Sequence, residues 1–316
     1  MTRLLEIEPG LTAIDTGMFG RENVTSAYLL AADRPALVET GSANVAPAVQ
    51  EGLSRLGVGP GDLAHVVVTH IHLDHAGGAG HIARMYPNAT IWVHERGAAH
   101  LADPARLLDS AARIYGQDRL RELFGLVEPT PADRLRSIGD GDVIELGGRS
   151  LRTVYTPGHA GHHVALLDSG TGGIFVGDAL GVFLPDVRVL RPATPPPEFD
   201  PDLAVASIER IAGLEPGRLL FSHFGPAAEV EHLCHLAIRR LRRWTAIVEE
   251  AMDESDELGS VMEALREGTR AELNPAGEQG REAISDRYEL LSSYEMNTLG
   301  IMRYLRKRRE SAEAAG

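Results

Sequence analysis

The chain has 316 residues, 43% of them hydrophobic and 24% charged, with a formal net charge of −14 and one cysteine. These values exclude a disordered or fibrous chain, an intrachain disulfide, a thiolate-rich metal site, and the general grip on nucleic acid that needs a basic footprint. No apolar run approaches the roughly 18 residues of a membrane span, and the opening MTRLLEIEPG lacks the apolar core of a secretion signal, so a cytoplasmic protein that does not bind membranes is expected.

Short strands are predicted over residues 11–14, 25–30 and 35–38, the last running into Glu39-Thr40-Gly41. Val45, Val49, Leu53 and Leu56 recur at the helical period, which predicts a helix over 43–56 that the glycines at 57, 59 and 61 terminate. A strand over 65–69 leads directly into His70-Ile71-His72-Leu73-Asp74-His75. A short helix at about 81–86 ends at Pro87, and 90–93 is again extended. From 101 to 126 an amphipathic helical stretch carries Leu107, Leu108, Ala111, Ile114, Leu120 and Phe124 on one face. It breaks the strand rhythm as an insertion over about 101–127 would, and reads as a packing surface or as a lid beside a site.

Strands resume over 143–146, 151–155, 164–167 and 174–176, followed by a Pro-rich loop over 191–197, a helix over 203–211 and a strand over 218–221. Beyond Pro226 only helices are predicted, over 228–252, 258–266 and 281–309, with a break at Asn274-Pro275. The expected organisation is a domain over 1–226 and a helical region over 227–316, the latter a candidate homodimer surface. His94 and His100 are six apart, which fails the one-face spacing of a helical zinc motif. His232, Cys234 and His235 read as helix packing, and Arg303, Arg306, Arg308 and Arg309 as a solvated helix end.

Four predicted strands stop at a side chain able to bind a cation. The strand over 65–69 stops at His70, and 151–155 leads through Thr156-Pro157-Gly158 to His159. The strand over 174–176 leads through Gly177 to Asp178, and 218–221 leads through Ser222 to His223. Sites in α/β folds gather at the carboxyl ends of strands, so one shared site is expected. With His72, Asp74 and His75 there are seven donors, too many for one zinc with about four ligands and suited to two metals sharing a carboxylate.

The H-x-H-x-D-H of His70 to His75, the Gly158-His159 pair, the Gly177-Asp178 pair and Ser222-His223, in that order, resemble the metallo-β-lactamase superfamily over roughly residues 10–225. The resemblance implies an α/β fold, an αββα sandwich with its metals at one edge, here followed by a C-terminal helical extension. It implies His70, His72 and His159 on one metal, Asp74, His75 and His223 on the other, and Asp178 between them, with Asp74 also accepting a proton from the bridging water. It further implies that Thr69, Glu39 and His163 orient the ligands through hydrogen bonds. Glu39 stands where family members usually carry aspartate, and the run from Gly158 to His163 leaves the choice between His162 and His163 open.

The stretch looks most like the glyoxalase-II and lactonase branches, so the expected activity is hydrolysis of an ester, thioester or lactone of a small molecule. The expected cofactors are two divalent ions, zinc first, with iron or manganese as alternatives. Competing readings are a phosphodiesterase of the same fold, a mononuclear iron oxygenase of the persulfide-dioxygenase type, and an interaction module built on the C-terminal helices.

Overall fold

The computed structural model describes residues 1–272 and 285–315. The chain divides into two compact units: Met1–Tyr155, His162–Gly177 and Gly217–Pro226 form the first, and Thr156–Gly161, Asp178–Pro216 and Ala227–Gly316 the second.

In the first unit, β1 (Leu4–Glu8), β2 (Leu11–Asp15), β3 (Ser26–Leu30), β4 (Ala36–Val38), β5 (His65–Val67), β6 (Thr90–His94) and β7 (Leu135–Ile138) lie side by side in chain order in one sheet. Pairing is antiparallel from β1 to β4 and parallel from β4 to β7. The change follows from the connections. Parallel neighbours need a long crossover, which α1 (Ala46–Arg55) supplies between β4 and β5, and α2 (Leu73–Ala76) with α3 (Ala79–Met85) between β5 and β6. A third crossover carries α4 (Glu95–Ala102), α5 (Ala105–Tyr115) and α6 (Gln117–Phe124).

The second sheet contains β8 (Val143–Glu145), β9 (Ser150–Tyr155), β10 (Val164–Asp168) and β11 (Gly173–Gly177). After β12 (Val182–Leu184) and β13 (Val189–Arg191), a separate hairpin, the sheet is completed by β14 (Arg218–Phe221) and β15 (Gly225–Ala227). Alternation along β3 shows how the layers form. Tyr28 and Leu30 enter the core between the sheets with Val67, Leu151, Phe175 and Leu220, whereas Ala27 and Leu29 join Val49, Leu53 and Ile82 of the helical layer. The Tyr28 and Phe175 rings meet edge to face at 5.2 Å. Burying a side chain such as Phe175 or Leu220 contributes about 1.5–3 kcal/mol.

The second unit is built on the β12–β13 hairpin and the helices α7 (Pro201–Ala212), α8 (Val230–Glu254), α9 (Leu258–Thr269) and α10 (Tyr294–Ala315). Asp200 caps α7 by accepting hydrogen bonds from the amides of Asp202 and Leu203, with Pro201 at the first helical position. Leu233, Ala237, Leu241, Trp244 and Val248 form the buried stripe of α8 at the helical period.

The architecture is therefore α/β, with two sheets packed face to face and helices concentrated toward the C-terminus. Several boundaries differ from expectation. The stretch over 101–126 is not one helix but three, interrupted at Asp103-Pro104 and at Gly116, whose φ is +75°. Arg191, expected to open a loop, ends β13 and is buried. The helix expected over 281–309 is broken at Ser292-Ser293, and residues 281–284 and the Asn274-Pro275 break lie outside the described residues. Among the described residues no helix is long and apolar enough to cross a membrane.

Candidate metal centre

Strand β5 ends at Val67, and after Val68 and Thr69 the chain turns into α2 with His72 as the residue preceding the helix. One helical turn then places Asp74 and His75 side by side. Nε2 of His75 lies 3.5 Å from Oδ2 of Asp74, and Nε2 of His223, which follows β14 and Ser222, lies 3.4 Å from the same oxygen. Asp74, His75 and His223 offer three ligand atoms all within 4.8 Å of one another. His75 and His223 are buried, while the Asp74 side chain keeps 21% of its surface exposed, so this donor set is open to solvent on one side.

The ring nitrogens turned away from Asp74 are held by the fold. Nδ1 of His223 donates to the carbonyl of Val24 at 3.3 Å, and Nδ1 of His75 donates to Oε1 of Glu39 at 3.2 Å. These bonds select the tautomer in which Nε2 carries a lone pair, the form that binds a metal ion. Burial raises the proton affinity of Asp74, but without a metal His75 and His223 can protonate at Nε2, and their charges and hydrogen bonds outweigh this and hold its carboxyl well below the usual carboxylate range. It is ionised at neutral pH.

Glu39 is the hub of this arrangement. Its carboxylate accepts the Thr69 hydroxyl at 2.5 Å, the Thr69 amide at 3.2 Å, the Ser222 hydroxyl at 2.9 Å and Nδ1 of His75. Glu39 also lies within 4.8 Å, donor to donor, of His70 and His75. With four protein donors already on its two oxygens, it orients these side chains and has little capacity left for an ion. Its backbone is left-handed, φ +66°, a strain of order 1–3 kcal/mol for a residue with a side chain, located at the turn that carries the hub.

Because the Thr69 hydroxyl gives its hydrogen to Glu39, it accepts from Nδ1 of His70 at 3.0 Å, and Nε2 of His70 then faces Nδ1 of His72, also at 3.0 Å. His163 packs against this group: its ring centre lies 5.0 Å from that of His70 and it is fully buried. The neighbouring His162 is half-buried, and its Nδ1 accepts the Ile71 amide at 3.5 Å. Gly177 explains the close packing. A Cβ there would stand 2.5 Å from Nε2 of His163 and 2.6 Å from the Thr69 hydroxyl, and its φ of +48° suits glycine.

In the second unit, His159 and Asp178 form their own pair. Nε2 of His159 lies 3.6 Å from Oδ2 of Asp178, and its Nδ1 donates to the carbonyl of Ala193 at 2.9 Å. Gly158 permits the turn, since a Cβ there would stand 2.3 Å from the Ala204 amide nitrogen at the start of α7.

Of the expected residues, the first unit thus brings together His70, His72, Asp74, His75 and His223 with Thr69, Glu39 and His163, and the second brings together His159 and Asp178. The donor set, imidazole nitrogens with lone pairs beside an ionised carboxylate, fits a divalent ion such as zinc, iron or manganese. Sequence reasoning missed Ser222 as a partner of Glu39 and Val24 as the acceptor that fixes His223. Ser222 could have been found from its place directly before the candidate donor His223; the Val24 carbonyl has no sequence signal.

A family model described as the metallo-beta-lactamase superfamily matches residues 20–223. The chain is 30% identical over 177 residues to a metallo-beta-lactamase fold-containing protein of Sulfurisphaera tokodaii, covering 54% of this chain and 65% of that one. It is 30% identical over 132 residues to a hydroxyacylglutathione hydrolase of Gloeobacter violaceus, covering 42% of this chain and 39% of that one. It is 30% identical over 117 residues to an atrochrysone carboxyl ACP thioesterase of Aspergillus fumigatus, covering 37% of this chain and 20% of that one. The chain spans less than two thirds of the length of each of these relatives. A solved archaeal metallo-beta-lactamase superfamily protein from Sulfolobus tokodaii superposes with a TM-score of 0.63 at 25% identity, covering 73% of this chain and 85% of that one.

Proposed function

Since the chain belongs to the metallo-beta-lactamase superfamily, we propose that it is a hydrolase with two divalent metal ions that cleaves an ester, thioester or lactone bond of a small molecule. The observation that carries this reading is the Asp74, His75 and His223 cluster, whose donor atoms all lie within 4.8 Å of one another. A single-iron oxygenase, held by two histidines and one carboxylate, does not need that second donor set.

The proposed ligands are His70, His72 and His159 for one ion, Asp74, His75 and His223 for the other, and Asp178 shared. The assignment of His159 and Asp178 rests on the motif order and on family membership. Ions bound there would lower the pKa of a water to about 7 and so supply hydroxide as nucleophile at neutral pH. The chain's own contribution is to hold the donors in place. Glu39, Thr69 and the Val24 carbonyl fix the ring orientations, and Asp74, ionised and partly exposed, is positioned to take up a proton from the attacking water at its carboxylate. No side-chain nucleophile is required.

Among the relatives, the names hydroxyacylglutathione hydrolase and acyl-carrier thioesterase support a thioester or ester as the bond cleaved. The test is a screen of thioesters, lactones, aryl esters and phosphodiesters with the wild type, Asp178→Ala and His159→Ala, combined with metal analysis. Two ions per chain and turnover of a carboxylic ester or thioester, lost in both variants, is the expected result. Unchanged turnover in both variants, or one iron with oxygen uptake, would overturn it.

A further inference from the structure

The second unit contains a cluster of charge and aromatic rings that the hydrolytic reading does not use. Arg191, at the end of β13, has a side chain only 3% exposed. Its guanidinium lies over the Tyr294 ring at 3.8 Å and within 5.7 Å of the ring centres of Trp244 and Tyr288, and one of its nitrogens, Nη2, pairs with Glu289 at 3.0 Å. Arg240 of α8 lies on the same cavity, of about 10 Å³, together with Trp244, Thr269, Glu272 and Tyr294. That is room for about one water-sized occupant.

Three guanidinium nitrogens of the two arginines that line this cavity, Nε and Nη1 of Arg191 and Nη1 of Arg240, are buried and have no hydrogen-bond partner among the described residues. Burying charged donors without an acceptor is costly, more so than for neutral groups, and a native fold does not leave three in one place without compensation. The lining groups that could accept are already engaged. Glu272 accepts the Trp244 indole at 3.1 Å and pairs with Arg240 Nε at 3.4 Å, and the Thr269 hydroxyl is bonded to the Leu265 carbonyl and to the Tyr294 hydroxyl. Arg191 pairs with Glu289 and Arg240 with Glu272, so it is the unsatisfied guanidinium hydrogens, not a net charge, that mark this place.

We propose that this cavity is an anion site, taking a single halide-sized monovalent anion between Arg191 and Arg240. Nε carries one hydrogen and each Nη two, so the three nitrogens offer more hydrogens than the two lone pairs of a water can accept, whereas a spherical anion accepts from all of them. The anion would tie β13 to α8 through its two arginines and complete the packing around Trp244 and Tyr294. Its role is stabilisation of the C-terminal unit.

The test uses the full chain with its metals, and chloride and bromide as probes. Thermal unfolding is followed in sodium chloride and in sodium methanesulfonate at equal ionic strength, methanesulfonate being too bulky for the cavity. Chloride is expected to raise the melting temperature by about 2 °C at a concentration several times its dissociation constant. Arg240→Gln is expected to abolish the chloride increment while folding normally, and Arg191→Gln to do the same with lower overall stability. Crystals soaked in bromide are expected to show anomalous density between the two guanidinium groups. Equal melting temperatures in the two salts, or a bromide-free cavity occupied by water, would overturn the assignment.

Discussion

Oδ2 of Asp74 lies 3.4 Å from Nε2 of His223, joining the helical turn after β5 to the end of β14. Because Asp74 is also 3.5 Å from Nε2 of His75, one carboxylate is shared by two imidazoles. The substitution Asp74→Asn keeps the shape of the side chain and removes its charge. It is expected to reduce bound metal from two ions to one and to lower turnover by at least about 100-fold, since even partners that only orient ligands cost 10–100-fold. Metal analysis and kinetics check both.

The pH dependence follows from the same pair. The carboxyl of Asp74 is held well below its usual range, so its contribution to stability is fully present above the unfolded value of about 3.9 and is lost only as pH falls through the lower folded value. An acid limb in activity between about pH 5 and 7, where a metal-bound water ionises, is therefore expected to keep its position in the variant Asp74→Glu. A limb that moves with this substitution contradicts the assignment.

Glu39 binds no substrate in the proposed mechanism, yet four donors depend on it. Glu39→Gln places an amide hydrogen against at least one of them and is expected to lower metal affinity about 10–100-fold with the fold retained, as measured by competition with a chelator. Ser222→Ala removes one of the four bonds and is expected to have a smaller effect in the same direction.

Gly177→Ala would force a methyl group to within 2.6 Å of both His163 and Thr69 from a left-handed backbone. The expected cost is about 1–3 kcal/mol in urea unfolding, with metal affinity falling as Thr69 is displaced. A variant with unchanged stability would show that the His163 side chain can move aside.

His65 lies on β5 away from the ligands, and its Nδ1 accepts the Trp92 indole at 3.0 Å. Burial pushes its pKa down to about 4, and Arg34 adds to the shift. The neutral form is therefore the folded form. Stability from this residue is fully present above the unfolded value of about 6.5 and is lost as pH falls toward 4, on the order of 3 kcal/mol in total. A ring titration followed by NMR is expected to show His65 still neutral at pH 5; a midpoint near 6.5 contradicts the assignment.

Much of the fold is legible in the sequence because apolar alternation and helical period are local properties. Residues 65–69 read as a strand from Val66, Val67 and Val68 alone, and α1 from the spacing of Val49 and Leu53. The strands β12 and β13, three residues each, and β7, whose Arg136 and Ser137 are exposed, are too short or too polar to stand out. Pro104 and Gly116 are visible breakers inside the predicted insertion helix, but the apolar stripe runs past both and masks the interruptions. In the site, each donor at a strand end is legible, because strand followed by histidine or aspartate is a contiguous pattern. The hydrogen bonds of Glu39 are not, since Thr69, His75 and Ser222 meet it only after β4, β5 and β14 have been aligned.

His70 and His223 follow closely on β5 and β14, strands positioned by ladder pairing, while α5 with its half-exposed Leu107 and Leu108 lies within the long connection between β6 and β7. In the proposed hydrolase, insertions or replacements in the middle of that connection can therefore reshape the surface around α5 without moving those donors. Chemistry and recognition can drift independently in descent, and a shift in substrate preference does not require the cage to be rebuilt.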